Sequence, residues 1–144
     1  MPGPVDTTLP RSGLGFQTHG PRGRQVGTAG FVEALEDLGQ SWSETGRGRL
    51  SFGEMSREGG GPLAGHEGHT QGREVDVRPI RLDGRSGPVT WQDTKYDRAA
   101  TKDLVRMVRD QHPGAVVLFN DPVLIREGLT QRWDGHDNHL HLRF

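Results

Sequence analysis

Along the chain the spacing of apolar positions changes several times, and each change marks an element. Residues 1–26 are rich in Gly, Pro and Arg without any period, and read as an irregular arm. From Thr28 onward Phe31, Leu35 and Leu38 recur at helical spacing, with Thr28 suited to cap the start and Gly39 to end it. Leu50 and Phe52 then alternate with Ser51 and Gly53, which predicts a short strand. Gly59 to Gly61, Pro62, Gly65, Gly68 and Gly72 make the next stretch a loop, because so many glycines deny it a stable helix. Val75 and Val77 alternate with Glu74, Asp76 and Arg78, the period of two of a half-buried strand.

Residues 81–95 read as another loop. Asp97 to about Gln111 is predicted helical, with Leu104, Met107 and Val108 as the inner stripe and Pro113-Gly114 as the stop. Ala115 to Phe119 is an apolar run short enough for a buried strand, and Asp121-Pro122 can open a short helix. From Asn138 to Phe144 the alternation returns. Leu140, Leu142 and Phe144 point one way; His139, His141 and Arg143 point the other. The sum is an α+β fold, a small, mainly antiparallel sheet with two main flanking helices.

Composition narrows this picture. A chain of 144 residues with 31% apolar residues, 22 Gly and 9 Pro has room for one domain with a lean core. A metal tying distant segments together would add stability to such a core. The net charge of -1 gives no overall attraction to nucleic acid or to an anionic membrane. The absence of Cys excludes disulfides and thiolate metal sites. No run approaches the roughly 20 apolar residues of a transmembrane helix. Met1 to Gly13 lacks the apolar run of a secretory leader.

Candidate chemistry lies in two histidine clusters. His66 and His69 sit in the Gly-rich loop, and His136, His139 and His141 near the end of the chain. If the strands carrying Asp76 and His141 are neighbours, imidazoles and a carboxylate share one polar face, and His69 can fold over it. His69, Asp76 and His141 would then make a three-ligand zinc site with an open position for water, one zinc per chain. His139, on the same face as His141, is suited to act as general base. His19 and His112 stand outside both clusters and read as ordinary surface histidines. His66-Glu67 does not begin an HExxH motif, since the second His comes one residue early and the glycines exclude the helix. Serine nucleophile catalysis finds no Gly-x-Ser-x-Gly elbow.

Gly65-His66-Glu67-Gly68-His69-Thr70-Gln71-Gly72-Arg73-Glu74-Val75-Asp76 resembles the Gly-His-x-x-His-Gln-x-Gly-x-x-x-Asp signature of penicillin-insensitive murein endopeptidases. The stretch from Gly135 to Phe144 resembles their closing Gly-His-x-x-His-x-His-x-Arg element, and the run from Ser56 to Pro62 resembles their Arg-Gly-Gly loop. The resemblance spans Gly27 to Phe144, and it implies a catalytic domain over 27–144 after the arm of residues 1–26. The implied fold is that shared by D-Ala-D-Ala peptidases and hedgehog domains. By the same resemblance His69, Asp76 and His141 are zinc ligands and His139 is the base. His136 is a further active-site histidine that holds substrate or oxyanion, and His66 is a supporting partner or alternative ligand. Arg57 and Arg143 are candidate substrate-binding cations.

Two departures stand out. Thr70 takes the place of the Gln that follows the first ligand, and no leader is read in the sequence. The implied activity is zinc-dependent hydrolysis of D-Ala-meso-diaminopimelate crosslinks in peptidoglycan, by a phage-released lysin or a mature domain acting at the cell wall. The alternatives are a D-Ala-D-Ala carboxypeptidase or dipeptidase of the same fold, and a zinc-stabilised binding module without turnover.

Overall fold

The computed structural model describes residues 3–61 and 71–144. The chain forms β1 (Val5–Thr8), β2 (Ser12–Gly13), β3 (Phe16–Thr18), β4 (Val26–Thr28), α1 (Ala29–Ser43), β5 (Leu50–Phe52), β6 (Glu74–Val77), α2 (Arg98–Gln111), β7 (Val116–Leu118), α3 (Pro122–Arg126) and β8 (Leu140–Arg143). β1 pairs with β4 in a two-stranded antiparallel sheet. The main sheet has the order β2-β3-β5-β6-β8-β7, antiparallel throughout except for the β3–β5 pair. Those parallel neighbours need a crossover connection, and α1 supplies it. The fold is therefore α+β, as the alternation of periods predicts.

The first 26 residues are not irregular. They hold three strands and bury Leu9, Phe16 and Val26 in the core. Strands of two to four residues are too short to show a period, and Gly and Pro between them mask the pattern. The 3₁₀ turn at Arg22–Arg24 then leads into β4.

α1 starts as expected, with the Thr28 hydroxyl accepting the Phe31 N–H at 3.2 Å. It does not end at Gly39 but runs on to Ser43, which lets Trp42 extend the buried stripe of Phe31, Leu35 and Leu38. Gly39 serves close packing instead. A Cβ there would stand 2.8 Å from the Leu14 carbonyl oxygen and 2.8 Å from the Phe16 ring. α2 is capped by Asp97, whose carboxylate accepts the Ala100 N–H at 2.9 Å, and it buries Ala100, Thr101, Leu104, Val105 and Val108. Met107 is only partly buried at the core's edge.

One face of the sheet presents Phe16, Phe52, Val75, Val77, Val117, Leu140 and Leu142 to the helices, and this layer is the core. The opposite face carries the polar members of the same alternating strands. The division between an apolar and a chemical face follows from the period of two.

Candidate active site

β6 and β8 are antiparallel neighbours, and their register sets Asp76 opposite His141, Val75 opposite Leu142 and Glu74 opposite Arg143. Directly opposed residues point to the same face, so the pairing that aligns the core residues also brings the carboxylate to the imidazole. His141 Nδ1 lies 3.4 Å from Asp76 Oδ1, and both side chains are largely buried. His139 precedes β8 on the same face, its Nε2 3.9 Å from the same oxygen. The His136 ring lies 4.5 Å from that of His139 and 5.9 Å, edge-on, from that of His141. Four of the residues singled out by sequence thus converge.

The ring of His139 is oriented by its neighbour. Its Nδ1–H donates to the side-chain oxygen of Asn138 at 2.7 Å, and its Nε2 faces Asp76. The turn that delivers His136 is held at several points. Its N–H donates to the Trp133 carbonyl at 3.2 Å, and its own carbonyl accepts the Asn120 N–H at 3.0 Å. Asn120 also accepts the Trp133 N–H on its side-chain oxygen (2.9 Å) and donates to Asp137 at 2.9 Å. The Asp137 carboxylate further accepts Trp91 Nε1 and Gln92 Nε2, each at 3.2 Å. These hydrogen bonds, that from Asn120 foremost, hold its pKa below the usual carboxylate range. Asn120 was not legible as a site residue in the sequence, since nothing marks it as the anchor of a turn 17 residues away, and the roles of Asp137 and Asn138 within that turn show only in their hydrogen bonds.

His19 corrects the sequence reading. It is half-buried, and its Nδ1 lies 2.7 Å from the Ser51 hydroxyl. Its N–H donates to the Phe52 carbonyl at 2.9 Å, which sets it beside the end of β5. Burial, then the Arg78 charge, push its pKa down to about 4, while Asp76 pulls weakly the other way. His112 lies elsewhere. It stacks on Phe144 with ring centroids 3.9 Å apart, beside a cavity of about 530 Å³ that Thr28, Phe31 and Arg73 also line.

Of the remaining candidates, His66 and His69 lie outside the described residues. Among the described residues no three His, Asp or Glu side chains form a metal-holding group. Asp76 and His141 supply two donors of the kind zinc takes, one oxygen and one nitrogen. Arg57 is exposed in a turn closed by the Gly60 N–H to its carbonyl at 2.9 Å. Arg143 is exposed opposite Glu74, two residues beyond His141.

A carboxylate flanked by imidazoles on one sheet face brings together groups able to bind a cation and to exchange protons. Comparison with known proteins is more specific. The family described as penicillin-insensitive murein endopeptidase matches residues 5–116, and the chain belongs to this family. That match includes Asp76 and ends before the closing histidine element. The penicillin-insensitive murein endopeptidase of Haemophilus influenzae is 26% identical over an alignment of 167 positions, gaps included, that takes in 94% of this chain. The chain spans 57% of the length of that relative. Among the described residues no helix is long and apolar enough to cross a membrane.

Proposed function

We propose that the chain is a zinc-dependent peptidoglycan endopeptidase that hydrolyses the D-Ala to meso-diaminopimelate crosslink. The observation that carries this reading is the Asp76–His141 cross-strand pair, with His139 and His136 beside it, in a chain of this family. Asp76 and His141, joined by His69, would hold the metal. Zinc at that point would supply a Lewis acid for the scissile carbonyl and lower the pKa of water nearby.

The chain's own residues do the rest. His139, with Nδ1–H committed to Asn138, takes the proton of the attacking water on Nε2 and returns it to the leaving amine. His136 faces His139 at 4.5 Å between ring centroids; its Nδ1–H is given to the Asp134 carbonyl at 3.0 Å, so its Nε2 can accept an N–H of the substrate. Asp76 offsets the positive charge that gathers on His139 once it is protonated.

Mass spectrometry of purified crosslinked muropeptide dimers incubated with the protein tests this. Conversion of dimers to monomers, with about one zinc per active chain, is the expected result. Release of free D-Ala from pentapeptide monomers with dimers untouched would make it a carboxypeptidase instead. Full activity in metal-free protein would remove zinc from the mechanism.

A further inference from the structure

The sheet places a fifth side chain on the catalytic face. β3 and β5 run parallel with Gln17 beside Ser51 and Thr18 beside Phe52, so the next residue, His19, comes level with Gly53. On the other side of β5, the Gly53 N–H donates to the Asp76 carbonyl at 2.7 Å. His19, Gly53, Asp76 and His141 therefore form one row across four neighbouring strands.

The middle of that row is bare. A Cβ at Gly53 would lie 2.5 Å from His19 Nε2, a distance real atoms do not tolerate, so the ring lies in the space that any other residue would fill. Strands are about 4.8 Å apart, which puts the backbones of His19 and Asp76 about 10 Å from each other. The His19 ring thus covers Gly53 and lies between β3 and the strands that carry Asp76, His139 and His141.

Nδ1 is taken up by the Ser51 hydroxyl at 2.7 Å, which fixes the plane of the ring and leaves Nε2, over Gly53, as its other hydrogen-bonding atom. Ser51 is itself buried, so the anchor is firm.

We propose that His19 is a substrate-positioning residue that hydrogen-bonds the backbone of the peptide stem through Nε2, on the same sheet face as Asp76 and His141. The proposal rests on the peptidoglycan reading above, and its test separates the two. His19→Ala, His19→Gln and Gly53→Ala are compared with the parent for melting temperature, zinc content, kcat and KM on the crosslinked dimer. Calorimetric Kd for the uncrosslinked disaccharide-tetrapeptide monomer needs no turnover.

His19→Ala is expected to raise KM and Kd by about 3- to 10-fold, the worth of one neutral hydrogen bond, with kcat changed less than about 2-fold and zinc retained. Gly53→Ala, which pushes the ring aside without removing it, is expected to do the same. His19→Gln, whose amide reaches the position of Nε2, is expected to recover part of the loss, and with Gly53→Ala it decides the matter should His19→Ala not fold. Unchanged KM and Kd in folded variants would overturn the proposal, as would loss of zinc and kcat at constant KM, which would tie His19 to Asp76. A parent that binds monomer without cleaving dimer would defeat the endopeptidase reading and leave His19 to be judged on Kd. A parent that neither binds monomer nor cleaves dimer would defeat both.

Discussion

Replacing Asp137 by Ala removes the acceptor for Asn120, Trp91 and Gln92 while leaving every active-site histidine in the sequence. Asp137 is only partly buried, so each bond is discounted for solvent to about 0.5–1 kcal/mol, a total near 2 kcal/mol. For a chain of this size each kcal/mol shifts melting by about 2–4 °C, so the expected fall is about 4–8 °C. Three backbone bonds still hold the turn, from the Asn120 N–H to His136, from the Trp91 N–H to Asp137 and from the His136 N–H to Trp133, so the fold should survive.

Activity should suffer more than stability. Displacing His136 and His139 by about 1 Å costs on the order of 100-fold, and a partial displacement should cost about 10- to 100-fold in kcat. Asp137→Asn is the control. Its remaining oxygen can keep Trp91 and Asn120, which share Oδ1, and Gln92 can turn its amide to accept, so this variant should lose under about 1 kcal/mol and under about 3-fold in rate. Calorimetric melting and dimer-cleavage kinetics on both variants decide the point. If Asp137→Ala matches the parent, or if Asn is as damaging as Ala, the turn is not held as described.

Other expectations follow from the same geometry. His141→Ala should lose zinc and stability together, whereas His139→Ala should keep zinc and lose activity by about 100- to 10,000-fold; equal zinc loss in elemental analysis would contradict this division of roles. Asp121 is fully buried and accepts Tyr96 Oη at 2.6 Å, Arg98 Nε at 2.8 Å and the Val123 N–H at 2.9 Å. Asp121→Ala should therefore cost about 3 kcal/mol, read as a melting fall of about 6–12 °C; a smaller loss than at Asp137 would refute this ranking. His19 has a folded pKa near 4 against 6.5 for the free side chain, so below pH 6.5 the unfolded chain binds a proton that the folded chain refuses. Its contribution is complete above about pH 6.5 and is lost as pH falls towards 4. In chelator-treated protein His19→Asn should flatten this part of the stability profile, and an unchanged slope would count against it.

The sequence determined the parts of this protein that depend on local period and local chemistry. The alternation in residues 74–78 and 138–144 assigned Asp76, His139 and His141 to the polar sides of their strands, because successive side chains on a strand must alternate. Capping by Thr28 and the helix start at Asp121-Pro122 were equally legible, since a cap acts on the residues next to it. Gly39 was misread because a glycine that ends a helix and one that admits a neighbouring strand look alike in sequence. Only the tertiary structure decided which strands are neighbours. That choice set Asp76 against His141 and drew the strands of the first 26 residues into folded structure. It also set the His19 ring over Gly53 on the same face. The physical reason is that strand pairing is a long-range choice made by burying the whole apolar face at once. A single-residue slip would turn Val75, Val77, Leu140 and Leu142 outward, so the core fixes the register and the site inherits it.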